Sequence, residues 1–125
     1  MKKEIKFYRC IHCHNIIVKL KDSKVAVVCC GEEMQELIPG VEDAALEKHV
    51  PYVKKKENEI IVKIGEVEHP MLSEHYIEWI ALVTDNNWNI KFLAPGEKPL
   101  VTFPLEKHCI IYEYCNLHGL WKKEL

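Results

Sequence analysis

The sequence lacks the features that mark several classes of protein. It has no apolar run near the roughly 20 residues that a transmembrane helix needs, so we expect no membrane span. Its 17 basic and 19 acidic residues are interleaved and give a formal charge of -2, which argues against the basic face of a nucleic-acid-binding protein. The start, MKKEIKFYRC, carries charges but no apolar signal-peptide core. We therefore expect a cytoplasmic protein that binds neither a membrane nor nucleic acid.

Long amphipathic helices are also missing from the pattern, and short strand-like segments take their place. The segment VEDAALEKH (41–49) predicts at most a helical turn or two. A turn at Asp85-Asn86-Asn87, residues that tolerate a positive φ, separates two predicted strands within residues 75–93. Further strand candidates are NEIIVKIG (58–65), LVTFPL (100–105) and KHCIIYEYC (107–115). Short strands with frequent turns predict a mainly β protein that contains a β-sandwich.

Cysteine is present in an arrangement that indicates metal binding. In the cytoplasm, clustered cysteines are more often metal ligands or redox groups than disulfides. Four thiolates suit tetrahedral zinc or a single iron, and a vicinal disulfide or a thioredoxin-like CxxC is the alternative. Adjacent residues of a strand point to opposite faces, so the neighbouring Cys29 and Cys30 share a metal only if they lie in a turn. Gly31, which follows them, is suited to complete such a turn. The set is Cys10, Cys13, Cys29 and Cys30.

The cysteines also indicate how the chain is divided. The first 36 or so residues contain too few apolar side chains for a core of their own, and a segment this short usually needs a metal to fold. Pro39-Gly40 is a turn signal suited to a boundary. We therefore predict a small metal-binding domain in residues 1–37 and a larger domain in residues 38–125.

Five further residues form a second group of potential ligands. A histidine-rich site with one thiolate suits iron or another transition metal that changes oxidation state, because structural zinc prefers more sulfur. Cys115 and His118 lie where a predicted strand enters a glycine turn, as in a short chelating loop. Spacing alone does not show that the five converge. They are His49, His69, His75, Cys115 and His118.

Taken in order, these motifs resemble those of desulfoferrodoxin, the two-iron form of superoxide reductase. The resemblance spans nearly the whole chain and rests on CIHC, CCG, EKHVP, EHPM with EHYIEWI, KFLAPGE and EYCNLHGLWK. It implies a desulforedoxin-like domain in residues 1–37, followed by an immunoglobulin-like β-sandwich in residues 38–125. It also implies two iron ions, one on Cys10, Cys13, Cys29 and Cys30, and one with His49, His69, His75 and His118 as equatorial ligands and Cys115 as axial ligand.

The resemblance implies a reaction as well as a fold. That reaction is the one-electron reduction of superoxide to hydrogen peroxide at a ferrous centre with an open sixth position, without oxygen evolution. An electron donor such as rubredoxin and a homodimeric assembly are further family expectations. Glu47 and Lys48 directly precede His49. The lysine is expected to attract superoxide, and the glutamate to occupy the open position of the ferric ion. Outside this motif, the pair would be read as a solvated surface dipeptide.

One position departs from the family pattern, and two other functions remain as alternatives. The family commonly has glycine after the second cysteine, where this chain has His14; a positive φ there costs histidine some strain. The first alternative is a non-catalytic metalloprotein with a zinc-ribbon-like binding module, which the five-ligand set and the missing basic face disfavour. The second is an electron carrier at the four-cysteine site, which needs no open position with a lysine beside it.

Overall fold

The structure is a computed structural model that describes residues 5–41, 49–65 and 69–125. Every regular element in these three ranges is a β-strand and none is a helix, which confirms the mainly β prediction. None of the described residues forms a helix long and apolar enough to cross a membrane. Most of the helical turn predicted over 41–49 lies outside the described residues. The chain forms two compact units, which divide between Ile38 and Pro39.

The smaller unit, Glu4–Ile38, contains five short strands. They are β1 (Phe7–Arg9), β2 (Ile16–Val18), β3 (Val28–Cys29), β4 (Glu32–Glu33) and β5 (Gln35–Leu37). β1 pairs in antiparallel fashion with both β2 and β5, while β3 and β4 form a separate hairpin. The buried hydrophobic side chains of this unit, among the described residues, are Ile5, Phe7, Cys10 and Met34. So few apolar groups make a small core, in line with a unit that depends on a metal.

The larger unit contains two antiparallel sheets in its described residues. Their strands are β6 (Pro51–Lys56), β7 (Glu59–Ile64), β8 (Ile77–Val83), β9 (Trp88–Phe92), β10 (Leu100–Pro104), β11 (Ile110–Cys115) and β12 (Gly119–Glu124). One sheet has the order β10-β7-β6 and the other has the order β12-β11-β8-β9.

The core of the larger unit comes from residues that alternate along strands of both sheets. Ile60, Val62 and Ile64 of β7 are fully buried because every second side chain of a strand faces the same way. They belong to one hydrophobic cluster with Phe103 of β10 and Ile111 of β11. Two antiparallel sheets that share such a cluster form an immunoglobulin-like β-sandwich, which confirms the fold expectation.

Most of the predicted strands of this unit are confirmed, and one begins later than expected. β7 matches the segment 58–65 and ends before Gly65, whose φ is 76°. β8 and β9 flank the predicted turn, which Thr84 closes by donating its backbone N–H to the carbonyl of Asn87 at 2.9 Å. None of the three turn residues uses the positive φ that it tolerates. β11 begins at Ile110 rather than at residue 107.

Candidate metal centres

The four N-terminal cysteines lie on two tight turns. The first follows β1, where the carbonyl of Cys10 accepts the N–H of His14 at 3.0 Å. The second joins β3 to β4 through Cys30 and Gly31, whose φ angles are 55° and 77°. Two residues of positive φ make the tight hairpin loop that matches the twist of paired strands. The prediction that Cys29 and Cys30 share a turn is confirmed.

The sulfur atoms of these cysteines are spaced as the ligands of one tetrahedral ion. All four lie within 4.8 Å of one another. The Sγ atoms of Cys13 and Cys29 are 3.6 Å apart, and those of Cys29 and Cys30 are 4.0 Å apart. Four sulfurs at about 2.3 Å from one ion would be about 3.8 Å from each other. The four-cysteine cluster therefore fits an iron ion, as the family expectation requires.

Hydrogen bonds prepare this cluster for a cation. The backbone N–H groups of His12 and Cys13 donate to the Cys10 sulfur at 3.4 and 3.5 Å. The Cys13 N–H is the main cause that lowers the pKa of Cys10 to about 6. Hydrogen bonding with the Cys13 sulfur, and then with that of Cys10, raises the pKa of Cys30 to about 12. The thiolate form of Cys10 is thus favoured, whereas that of Cys30 is disfavoured. A bound metal ion would stabilise both thiolates.

His14, the residue that departs from the family pattern, has a φ of 68°. The position therefore uses the left-handed conformation that glycine adopts without strain. The side chain is exposed, as is that of His12 on the other side of Cys13. The departure changes the local strain and leaves the four ligand positions intact.

The second group of ligands converges at one end of the β-sandwich. His49 precedes β6, His69 and His75 lie between β7 and β8, and His118 lies in the turn between β11 and β12. Cys115 is the last residue of β11, where the register against β8 shifts between Tyr114 and Cys115. Such a shift redirects a side chain at the end of a strand. The ligand atoms of all five residues lie within 4.8 Å of one another.

The four histidine rings form a closed cycle. His49 contacts His69 and His118, and His75 contacts the same two, with ring centroids 4.7 to 5.1 Å apart. The interplanar angles of these four contacts lie between 64° and 83°. A cycle of this kind gathers one ring nitrogen from each histidine around one point, as a single ion needs. The cycle fits the expected square of histidines.

Individual atoms of this centre also fit a metal. The Nε2 atoms of His49 and His69 are 3.0 Å apart. Two nitrogens bound to one ion at about 2.1 Å and at a right angle are separated by about 3 Å. Nδ1 of His69 lies 2.7 Å from the carbonyl of Pro70, which only accepts, so Nδ1 donates and Nε2 keeps its lone pair. The Cys115 sulfur is 3.7 Å from His69 Nε2 and 3.8 Å from His118 Nδ1.

Burial gives the centre a protein side and a solvent side. Cys115 is fully buried and belongs to the hydrophobic core, whereas His118 is exposed. The thiol therefore approaches the cluster from the core. Of the four histidines, His118 reaches the surface, whereas His49 and His69 are buried.

Asn116 is a site residue that the sequence reasoning missed. Its Oδ1 accepts the backbone N–H of Tyr76 at 2.9 Å, and its Nδ2 donates to the carbonyl of Glu74 at 3.0 Å. Its own N–H donates to the carbonyl of Tyr76 at 3.2 Å. Asn116 therefore ties the loop of Cys115 to the segment around His75. The only sequence signal was its place inside the Cys-x-x-His loop.

Glu47 and Lys48 lie outside the described residues. Their roles therefore stay predictions, which rest on their place directly before His49.

A β-sandwich with a four-histidine, one-cysteine centre, in one chain with a four-cysteine unit, defines a class of non-haem iron proteins with two metal sites. The profile of the desulfoferrodoxin family matches residues 41–124. The chain belongs to the desulfoferrodoxin family, and two iron centres fit its two ligand clusters.

Individual relatives extend this similarity to the whole chain. The desulfoferrodoxin of Nitratidesulfovibrio vulgaris Hildenborough is 45% identical over 125 residues, covering 99% of each chain. The crystal structure of the superoxide reductase from Treponema pallidum superposes with a TM-score of 0.80 at 33% identity, covering 96% of this chain and 98% of that one. A one-iron superoxide reductase from Giardia intestinalis gives a TM-score of 0.57 at 30% identity, covering 63% of this chain and 97% of that one. The resemblance seen in the motifs is confirmed.

Proposed function

We propose that this protein is a superoxide reductase. It converts superoxide, with one electron and two protons, into hydrogen peroxide and releases no oxygen. The observation that carries the proposal is the closed cycle of four histidine rings with the Cys115 sulfur within 3.8 Å of His118 and 3.7 Å of His69. The names of the relatives from Treponema pallidum and Giardia intestinalis support it.

Each ligand cluster has its own role in this proposal. His49, His69, His75, His118 and Cys115 would hold one iron ion. Cys10, Cys13, Cys29 and Cys30 hold a second iron in a desulforedoxin-like domain, residues 1–37, and residues 38–125 form the reductase domain. An iron ion held at the histidine–cysteine site would supply the one-electron chemistry that reduces superoxide.

The chain's own residues set the conditions for that electron transfer. Cys115 is fully buried, so water does not screen the electrostatic interaction between its thiolate and a cation at the site. The Nδ1–H bond of His69 to Pro70 fixes the ring orientation and the tautomer that binds metal. The exposure of His118 supports entry of a small anion from the solvent side.

Glu47 and Lys48 act on the substrate and on the open position. The Lys48 ammonium attracts the superoxide anion and raises its local concentration at the site. The same ammonium orients water that protonates the product. The Glu47 carboxylate would serve as a further ligand of the iron in its oxidised form. The support for both roles is their covalent attachment next to His49.

A reductase that makes no oxygen needs an electron from outside, and we propose a donor such as rubredoxin. We also propose a homodimer, supported by the small core of the N-terminal unit and by exposed apolar residues there, such as Val25 and Val28. We propose a cytoplasmic location because the N-terminal cysteines are gathered as a metal-binding cluster, the usual role of clustered cysteines in that compartment.

The proposal is tested with full-length protein that is loaded with iron, reduced without oxygen and mixed with superoxide. We expect rapid decay of superoxide, first order in superoxide and first order in protein, with the wild-type protein. The same is expected with Cys13→Ser, which alters only the four-cysteine site. His118→Ala is expected to lose most of this activity. Iron content is measured for each variant. Activity that survives in His118→Ala but disappears in Cys13→Ser would assign the reaction to the other site and overturn the proposal.

A further inference from the structure

Trp121 contacts two of the histidines of the cycle in two different ways. Its indole ring stacks on the imidazole of His49, with ring centroids 4.9 Å apart and an interplanar angle of 14°. Its Nε1–H donates a hydrogen bond to the backbone carbonyl of His118 at 3.1 Å. These two histidines are neighbours in the cycle. One side chain outside the ligand set therefore contacts one edge of the metal centre.

Gly40 holds the backbone on which this indole is mounted. Its N–H donates to the carbonyl of Leu120 at 2.9 Å, and its own carbonyl accepts the N–H of Lys122 at 2.9 Å. These bonds form a parallel β-bridge between Gly40 and Trp121. The turn predicted at Pro39-Gly40 is absent, and Gly40 pairs with β12 instead.

The Trp121 indole leaves no space for a side chain at position 40, so glycine is required there. A Cβ at this position would lie 2.6 Å from both Cε3 and Cζ3 of Trp121, closer than real Cβ atoms approach. Gly40 is not among the residues with a positive φ, so alanine would meet no backbone strain there. The clash with Trp121 is the one obstacle that the geometry presents to this substitution.

We propose that Trp121 is a positioning residue for the histidine–cysteine metal centre and that Gly40 sets the place of its ring. The stack limits rotation of the His49 ring, because displacing the ring would break a stacked aromatic contact. The hydrogen bond fixes the backbone of His118. This matters because Nδ1 of His118, the ring nitrogen nearer the backbone, faces Cys115 at 3.8 Å. A shift of the His118 backbone therefore shifts its ligand atom almost directly.

The inference rests on the proposed function only for the identity of the bound ion. Its test measures release of iron from the full-length, two-iron protein to a coloured ferrous chelator, with no superoxide present. The two sites are expected to release iron in separate kinetic phases. The four-cysteine phase is an internal control, because Trp121 and Gly40 belong to the other unit.

Four variants test the contacts separately. Trp121→Leu removes the stack and the donor and is expected to speed release in one phase by about 10-fold to 100-fold, the usual effect of losing a partner of a metal ligand. Trp121→Phe keeps an aromatic ring and loses one hydrogen bond, with an expected effect of about threefold to tenfold. Gly40→Ala is expected to resemble Trp121→Leu. Adding Gly40→Ala to Trp121→Leu is expected to change nothing further, since the clash is gone.

Specific results would overturn the inference. Wild-type release rates in Trp121→Leu would remove the positioning role. If the effects of Gly40→Ala and Trp121→Leu on the release rate multiply in the double variant, Gly40 acts independently of the indole. Equal acceleration of both phases would indicate general destabilisation instead. A protein with the predicted release rates that does not consume superoxide would contradict the proposed function alone.

Discussion

The backbone N–H of Tyr76 donates to the side-chain Oδ1 of Asn116 at 2.9 Å. Each of these residues directly follows a ligand of the histidine–cysteine centre, His75 in one case and Cys115 in the other. The bond therefore connects two segments that are 40 positions apart in the sequence and must meet at one ion. Ligands that come from separate loops need such connections, because an orientation error in either loop weakens the centre.

Asn116→Ala is expected to weaken metal binding at this centre by about 10-fold to 100-fold, because both side-chain hydrogen bonds to the His75 segment are lost. Competition with a chelator measures the change. Asn86→Ala, at an exposed asparagine in the Thr84–Asn87 turn, is the control and should bind metal as wild type does. Wild-type affinity in Asn116→Ala would mean that the two segments hold their places without this side chain.

Lys48→Ala is expected to slow the capture of superoxide and to flatten its dependence on ionic strength. The physical reason is that salt screens the attraction between a surface charge and an anion, so the effect disappears with the charge. Stopped-flow rates at several salt concentrations measure it. Lys55→Ala, on the exposed part of β6, removes the same charge elsewhere and serves as the control. An unchanged second-order rate in Lys48→Ala would exclude the steering role.

His14→Gly is expected to stabilise the four-cysteine unit by about 0.5 to 1 kcal/mol, because glycine relieves the left-handed strain at a φ of 68° but loses more chain entropy on folding. The urea concentration at which the visible absorption of this iron site is lost measures the change. His12→Gly is the matched control and should destabilise, since His12 has no positive φ and its ring bonds Glu32 at 3.0 Å. Destabilisation by both substitutions would show that contacts of the His14 side chain stabilise the unit by more than its backbone strain destabilises it.

Protein purified without oxygen is expected to contain two iron ions per chain. Cys13→Ser and His69→Ala should each contain one, because each removes a ligand from a different cluster. Elemental analysis measures the content. One iron and one zinc in wild-type protein would give the four-cysteine site a structural role. Zinc alone, after expression with added iron, would favour the binding-module alternative.

The sequence predicted those strands that are rich in β-branched and aromatic residues and are bounded by turn signals. The run at 58–65 became β7 because its β-branched residues at 60, 62 and 64 all face the opposite sheet. β6 and β12 were missed. Both are edge strands, and lysines on their exposed positions hide the alternation that identifies a strand.

The ligands were predicted from motifs, whereas the residues that position them were not. Cysteine and histidine show their chemistry in the sequence, and the order of the motifs assigned them to two clusters. The roles of Asn116, Trp121 and Gly40 depend on contacts between distant segments. No local pattern shows that the Trp121 indole lies against Gly40, a residue 81 positions earlier. A Cβ at Gly40 would lie 2.6 Å from that indole. Such contacts emerge only after β12 pairs with β11.

The ratio of hydrogen peroxide formed to superoxide consumed tests the proposed reaction most directly. Reduced, iron-loaded protein is supplied with superoxide, and peroxide and dissolved oxygen are measured together. A superoxide reductase should give one hydrogen peroxide for each superoxide and no oxygen. One hydrogen peroxide for every two superoxide ions, with oxygen evolved, would show dismutation and contradict the proposal.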